Sequence, residues 1–355
     1  MEYVSLGTSG LKVSRMGFGN WITSGGGVSE LTNSMVKAAW EAGINFFDTA
    51  EAYDNGLGEI QMGNALKSLG VARQELVVTT KLFHGYTLPT MKCGNIELKI
   101  NENQKGTSRK HLLEGMSRSL KNMQLDYVDI IYCHRYDVET STEEVCHAMK
   151  VILNRGQALY WGTSEWPAQR LVEAMHICDK IGCPRPIVEQ PQYNIAVRQK
   201  MEIDYNLLFD EYGLGTTIWS PLFSGILSGK YNDGSIPDGT RFDNPRFKAM
   251  VYDKFFGNEE KAKVMCEKLR GSKVIADELG CSQAAMFIAW TMKYKNMSCV
   301  LLGASKLTQL QDNLTALDVV PKLTPEVLER LEALWQTRPV QEKNFLNWKQ
   351  MPNRR

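Results

Sequence analysis

Four side chains suited to proton transfer stand at or just beyond the ends of short apolar runs. Asp48 closes the run 45–48, and Tyr53 follows five positions on. Lys81 closes 76–81 and His134 closes 127–134. A phenol with a pKa of about 10 is a poor acid at neutral pH. A neighbouring ammonium stabilises the phenolate and lowers that pKa. A carboxylate keeps the ammonium charged and in place, and an imidazole orients a carbonyl oxygen. Together the four suit protonation of a carbonyl oxygen. Singly, each has a plainer reading. Asp48 could satisfy backbone N–H groups in a turn, Tyr53 could be a packing aromatic, and Lys81 could be a snorkelling surface cation. Their order on successive runs favours the chemical reading. A Schiff base on Lys81 needs a desolvated amine, and a carboxylate at Asp48 argues against one.

The elements that must position these groups follow from periodicity. Short apolar runs at 16–19, 45–48, 76–81, 127–134, 158–164, 187–190, 216–220 and 299–302 read as strands buried on both faces of a parallel sheet. Amphipathic helices are expected between them at 30–41, 59–69, 109–123, 142–154, 167–181, 201–212, 282–293 and 306–317. Ser282 is placed to cap its helix, and Gly43, Gly70, Gly182 and Gly213 follow helices as stops. Eight strands alternating with eight helices predict an α/β fold of the (β/α)8 TIM-barrel type. Segment 4–13 reads as a hairpin plugging the barrel. Helices at 260–279 and 324–337 are extra. The expected organisation is one domain over 1–355: hairpin 3–14, barrel about 15–320, and a C-terminal helix and tail 321–355. Two long loops, 83–108 and 222–259, stand out. In such a barrel the chemistry lies at the C-terminal ends of the strands.

The runs N-F-F-D-T-A-E-A-Y (45–53), V-T-T-K (78–81), Y-V-D-I-I-Y-C-H-R (127–135), Y-W-G-T-S (160–164), W-S-P-L (219–222), S-G-K-Y (228–231) and L-L-G-A-S (301–305) resemble the aldo-keto reductases. Within them, the chain resembles the β-subunits of voltage-gated potassium channels. The resemblance implies a catalytic tetrad of Asp48, Tyr53, Lys81 and His134. It also implies reduction of an aldehyde or ketone and, as a second possibility, docking on a channel's cytoplasmic domain. Such subunits are tetrameric, which implies a homotetramer. The chain departs from the channel type in three ways. It has His134 where those subunits carry Asn, its 83–108 loop is longer, and it shows no N-terminal extension of the pore-plugging kind. The first favours catalysis, and the third argues against fast channel inactivation.

The resemblance implies NADPH, yet no Rossmann or P-loop fingerprint is present. Gly17-Phe18-Gly19 fails the dinucleotide pattern at Ile22, and Ser228-Gly229-Lys230-Tyr231 fails the P-loop at Tyr231. Loops after the seventh and eighth strands are the phosphate sites of this fold. They carry Lys230, Arg241 and Lys306, cations suited to a pyrophosphate and a 2′-phosphate. The resemblance places Ser164, Gln190 and Trp219 toward the nicotinamide end and Ser220, Leu222, Gly225 and Lys230 along the pyrophosphate. Arg241, Ser305, Gln309, Asp312 and Asn313 would hold the adenosine end. Gly19, Asn20, Trp21, Asp48, Pro221, Ser224 and Gly303 are further expected cofactor contacts. Trp21, Phe83 and Trp166 are expected in the substrate wall.

Composition bounds the rest. Of 355 residues, 43% are hydrophobic and 23% charged, which supports a large core and excludes disorder as the main state. Forty-one Lys and Arg against forty Asp and Glu leave +1, without the electrostatic footprint of a nucleic-acid binder. No membrane span or signal peptide is evident, so a cytoplasmic location is expected. The eight cysteines show no CxxC and read as free thiols. His84, His111, His147 and His176 lack ligand spacing, so no metal is expected.

Overall fold

The computed structural model describes residues 1–21, 29–86 and 102–340. Strands β1 (Tyr3–Ser5) and β2 (Lys12–Ser14) form an antiparallel hairpin. The eight others are β3 (Met16–Gly19), β4 (Phe46–Asp48), β5 (Val77–Leu82), β6 (Val128–Cys133), β7 (Ala158–Thr163), β8 (Val188–Glu189), β9 (Gly215–Ile218) and β10 (Cys299–Leu302). They close into a parallel barrel in the order β10-β3-β4-β5-β6-β7-β8-β9. Helices α1 (Ser29–Glu41), α2 (Leu57–Ser68), α3 (Arg109–Met123), α4 (Thr142–Asn154), α5 (Ala168–Ile181) and α6 (Asn206–Tyr212) follow β3 to β8 in turn. Helices Gln283–Met292 and Leu307–Leu314 flank β10 in the chain. The predicted α/β (β/α)8 barrel is the fold found. The extra helices lie at Glu259–Glu278 and Pro325–Trp335.

Local signals set these bounds. Ser108, Ser141 and Ser282 each accept a hydrogen bond from a backbone N–H three residues on, as N-caps do. Gly182 and Gly213 end α5 and α6 with φ of +65° and +61°, a conformation glycine adopts without strain.

Strand alternation sorts the core into two layers. Phe46, Val77, Ile130, Tyr132, Val188, Cys299 and Leu301 face the barrel interior, where Leu6 and Val13 of the hairpin join them. Their neighbours Phe47, Val78 and Ile131 face the helices. The interior set sits toward the strand starts, so the hairpin plugs the N-terminal mouth. Continuing the same alternation brings Asp48, Thr79, Lys81, His134 and Gln190 inward at the other end.

Two segments differ from expectation. The 222–259 loop is folded into short helical turns: Phe223–Ser228, Arg241–Asp243, Pro245–Phe247, Lys248–Tyr252 and Asp253–Phe256. Packing of Tyr231, Phe242, Tyr252 and Phe256 holds them, with Tyr252 and Phe256 stacked at 4.3 Å. The helix expected at 201–212 is broken at Tyr205, between a π turn (Lys200–Asp204) and α6. The Tyr205 hydroxyl donates to the Trp166 carbonyl (2.6 Å), and this anchor competes with a continuous helix. Residues 87–101 of the 83–108 loop, 22–28 of the expected pocket wall and 341–355 of the tail lie outside the described residues.

Candidate active site

Asp48, Lys81 and His134 come from adjacent strand ends of the barrel's C-terminal mouth. Asp48 is the last residue of β4, Lys81 lies in β5, and His134 follows β6. Lys81 is fully buried and Asp48 nearly so. The Lys81 ammonium donates to Asp48 Oδ2, to the Thr49 carbonyl (2.8 Å) and to the Tyr53 hydroxyl (3.0 Å). Thr79 Oγ1 (2.7 Å) and Gln190 Nε2 (3.2 Å) donate to the other Asp48 oxygen. The carboxylate is thus held from three sides, and the ammonium is aimed at the phenol.

Electrostatics follow from that arrangement. Burial alone would lower the Lys81 pKa, but Asp48 and Tyr53 carry it above the ordinary value. Lys81 therefore stays charged. Burial raises the Tyr53 pKa, and Lys81 opposes the rise without overcoming it. This corrects the expectation of an acidified phenol: desolvation outweighs the ammonium, and the Tyr53 hydroxyl keeps its proton. The His134 ring lies edge-on to Tyr53, with centroids 6.0 Å apart. Burial, together with Lys81, Arg135 and His84, holds its pKa well below the usual imidazole value. His134 Nδ1 is buried and unpartnered among the described residues.

Several of the residues expected to contact the cofactor gather beside this group. Gly19 pairs with Asp48 in the strand register. Asn20 is buried and donates to the Gly58 carbonyl (2.7 Å). Trp21 lies 6.4 Å from the Tyr53 ring. Ser164 Oγ donates to the Gln190 carbonyl (2.8 Å) and accepts from Arg135 (3.1 Å). Trp219 Nε1 donates to Glu165 Oε1 (3.0 Å). Arg241 lies 4.9 Å above the Trp21 ring, near the wall beside Tyr53. Trp166 is buried in the helix-side layer against Tyr136, so it does not line the mouth.

The turn after β9 is locally unusual. Ser220, Phe223 and Ser224 have φ of +55°, +50° and +57°, and Gly225 has +98°. Non-glycine residues in this region are uncommon, and their clustering marks functional turns. Pro221 is buried, Leu222 is half-buried, and the Ser220 hydroxyl accepts from Ser224 N (2.8 Å). Lys230 has its pKa lowered by burial and by the neighbouring Lys306 ammonium. Among the described residues neither lysine has a carboxylate partner. Two neighbouring cations beside a turn with clustered positive φ angles fit a bound phosphate group. Gly303 and Ser305 are exposed after β10, and Gln309 turns back to accept from Ser305 N (3.0 Å). Asp312 accepts from Ser282 Oγ (2.8 Å), and Asn313 is buried.

Sequence reasoning left Glu165 out of the site and missed Arg135 and His84. Glu165 has φ of +61°, pairs with Lys200 (2.6 Å) and holds the Trp219 indole. Arg135 and Glu165 each directly follow a selected residue, so adjacency was the available signal. Among the described residues no group of His, Cys, Asp and Glu is arranged to hold a metal. The seven described cysteines are free thiols, and no described helix is long and apolar enough to cross a membrane.

Comparison with known proteins agrees with this geometry. The chain is 43% identical to a probable voltage-gated potassium channel subunit beta of Oryza sativa subsp. japonica, over 97% of this chain and all of the relative. It is 42% identical, over the same shares, to a protein of that description in Arabidopsis thaliana. A putative subunit beta of Schizosaccharomyces pombe is 41% identical over 95% of this chain and 94% of its own length. With the aldo/keto reductase family model matching residues 15–336, the chain belongs to the aldo/keto reductase family.

Proposed function

We propose that the protein is an NADPH-dependent reductase of aldehydes or ketones with Tyr53 as proton donor. The observation that carries this reading is the buried relay from Asp48 through Lys81 to the Tyr53 hydroxyl, 3.0 Å from the ammonium. NADPH, when bound, supplies the hydride that reduces the carbonyl carbon. Ser164, Gln190 and Trp219 would orient its nicotinamide, and the Ser220–Gly225 turn with Lys230 its phosphates. Arg241, Ser305, Gln309, Asp312 and Asn313 would take the adenosine side.

The chain's own part is proton transfer and positioning. His134, neutral near pH 7, hydrogen-bonds the carbonyl oxygen. Tyr53 protonates that oxygen as charge develops on it, and Lys81 stabilises the resulting phenolate. One hydride and one proton turn a carbonyl into an alcohol, and solvent returns the proton to Tyr53. Tyr53→Phe should lower carbonyl reduction about 10²- to 10⁴-fold. NADPH binding, followed by fluorescence titration, should change little. Wild-type turnover in that variant would remove Tyr53 from the role.

A second reading is docking on the cytoplasmic domain of a potassium channel. It is favoured by full-length similarity to relatives described as channel beta subunits. Co-purification with channel cytoplasmic domains is the expected result. Failure to co-purify, with rapid turnover of small aldehydes, leaves the plain reductase. A homotetramer and a cytoplasmic location belong to the same reading.

A further inference from the structure

Arg135 is a cation that the relay does not use. It follows His134 directly, and one arm of its guanidinium is fixed on the rim of the mouth. That nitrogen donates to the His134 carbonyl (2.5 Å) and to Ser164 Oγ (3.1 Å). The guanidinium carbon lies 5.8 Å from the Trp219 ring centroid. Its field reaches Tyr53, His84 and His134.

The carboxylates around it are already engaged. Asp48 is paired with Lys81, and Glu165 with Lys200. Glu51 accepts through Oε1 from His111 and from the backbone N–H groups of Phe83 and Gly85, while its Oε2 is buried without a partner among the described residues and makes no ion pair with Arg135. Among the described residues no carboxylate pairs with Arg135. The Asp48–Lys81 pair is internally neutral, and Arg135 itself has no counter-charge in direct contact among the described residues. A half-buried cation without a counter-charge is costly unless a ligand supplies one. A guanidinium held by one arm still presents donors in the fork that carboxylates match. His84 stands edge-on to His134 at 5.1 Å, and its ring is exposed, adding a second polar group on that side.

We infer that the mouth selects carbonyl compounds bearing a carboxylate a few bonds from the carbonyl, with Arg135 holding that carboxylate. The short spacing follows from where the guanidinium is held, on Ser164 Oγ and the His134 carbonyl and 5.8 Å from the Trp219 ring centroid, at the same rim as the groups that act on the carbonyl. This inference rests on the reductase reading for turnover, but not for binding.

The test compares 4-oxobutanoate with its methyl ester as substrates, using NADPH. Wild-type kcat/KM should favour the acid by at least about tenfold, as a charge-assisted hydrogen bond predicts. In Arg135→Met the ratio of acid to ester should fall to about one. Arg135→Lys should keep part of the preference, because the charge remains and the fork does not. Binding is read separately by ligand-observed NMR with butanoate and butanamide. The wild type should prefer butanoate, and Arg135→Met should not.

Equal use of acid and ester by the wild type would overturn the inference and leave the reductase intact. A raised KM for NADPH in Arg135→Met with an unchanged acid-to-ester ratio would also overturn it, assigning Arg135 to the cofactor. Preferential butanoate binding without turnover of either aldehyde would support the anion site and sink the reductase reading. The absence of any preference in both measurements would overturn the inference outright.

Discussion

At the scale of single residues, the site separates three titratable groups by environment. Lys81 stays charged because Asp48 outweighs its burial. Tyr53 stays protonated because burial outweighs Lys81. His134 stays neutral because burial and three neighbouring cationic or titratable groups act in one direction. Such separation supports the proposed roles, in which a neutral imidazole orients and the phenol donates. It also has a consequence for stability. His134 has a folded pKa well below 6.5, while the unfolded chain titrates near 6.5. Below pH 6.5 the unfolded chain therefore binds a proton that the folded protein refuses. The stability contribution is whole above pH 6.5 and erodes as pH falls, by up to about 1.4 kcal/mol per unit until the folded pKa is reached. His84 is shifted in the same direction, but it is exposed and solvent screens its share. Replacing His134→Asn should remove the His134 share of the slope, leaving groups such as Glu189, whose carboxyl at about 7 acts in the opposite direction over this range. Urea unfolding from pH 7 to pH 5 should then show a shallower loss in the variant. Parallel slopes would mean that His134 is not held neutral.

At the scale of elements, period-two alternation made the candidate site readable. The strand ends at Asp48, Lys81 and His134 could be picked out because inward positions switch from apolar to polar within one strand. Val77, Thr79 and Lys81 show this switch along β5. The helix after Ser282 was readable partly because a capping hydroxyl sits just before its run, and the structure shows Ser108 and Ser141 capping theirs in the same way. Segment 222–258 was not. Its order comes from aromatic residues 4 to 11 positions apart, which follow neither a 3.6 nor a 2 period. The break at Tyr205 was hidden for a similar reason, since its cause is a hydroxyl bonded to a residue 39 positions away. Glu165 escaped because its importance lies in partners at Lys200 and Trp219, on later elements. Glu189 shows the same limit. It precedes Gln190 in β8, is fully buried, and has its carboxyl pushed up to about 7 by desolvation while it accepts from Thr163 and Trp166 N. Composition gives no sign of that, because the cause is the closure of the barrel around it.

At the scale of the whole molecule, the barrel interior is divided between two tasks. Its C-terminal half holds the ion pair and the hydrogen-bonded polar layer. Its N-terminal half is apolar and depends on a plug from outside the barrel sequence. Leu6 and Val13 are fully buried there, against Phe46, Val77, Ile130, Val188 and Leu301. The hairpin's seat is close-fitting. Thr8 N donates to the Gly213 carbonyl (2.9 Å), and a Cβ on Gly7 would come within 2.4 Å of that same oxygen. Such a contact leaves little freedom for the turn to shift and fill a void. Leu6→Ala should therefore create a cavity that collapses poorly, at a cost of about 2–5 kcal/mol. The polar layer lies between that cavity and the mouth, and Asp48 is anchored independently by Thr79, Lys81 and Gln190. The variant should lose stability in urea unfolding yet bind NADPH with nearly wild-type affinity in fluorescence titration. A matched fall in both would show that the plug shapes the mouth as well as closing the floor. Unchanged stability would show that the hairpin is not part of the cooperative core.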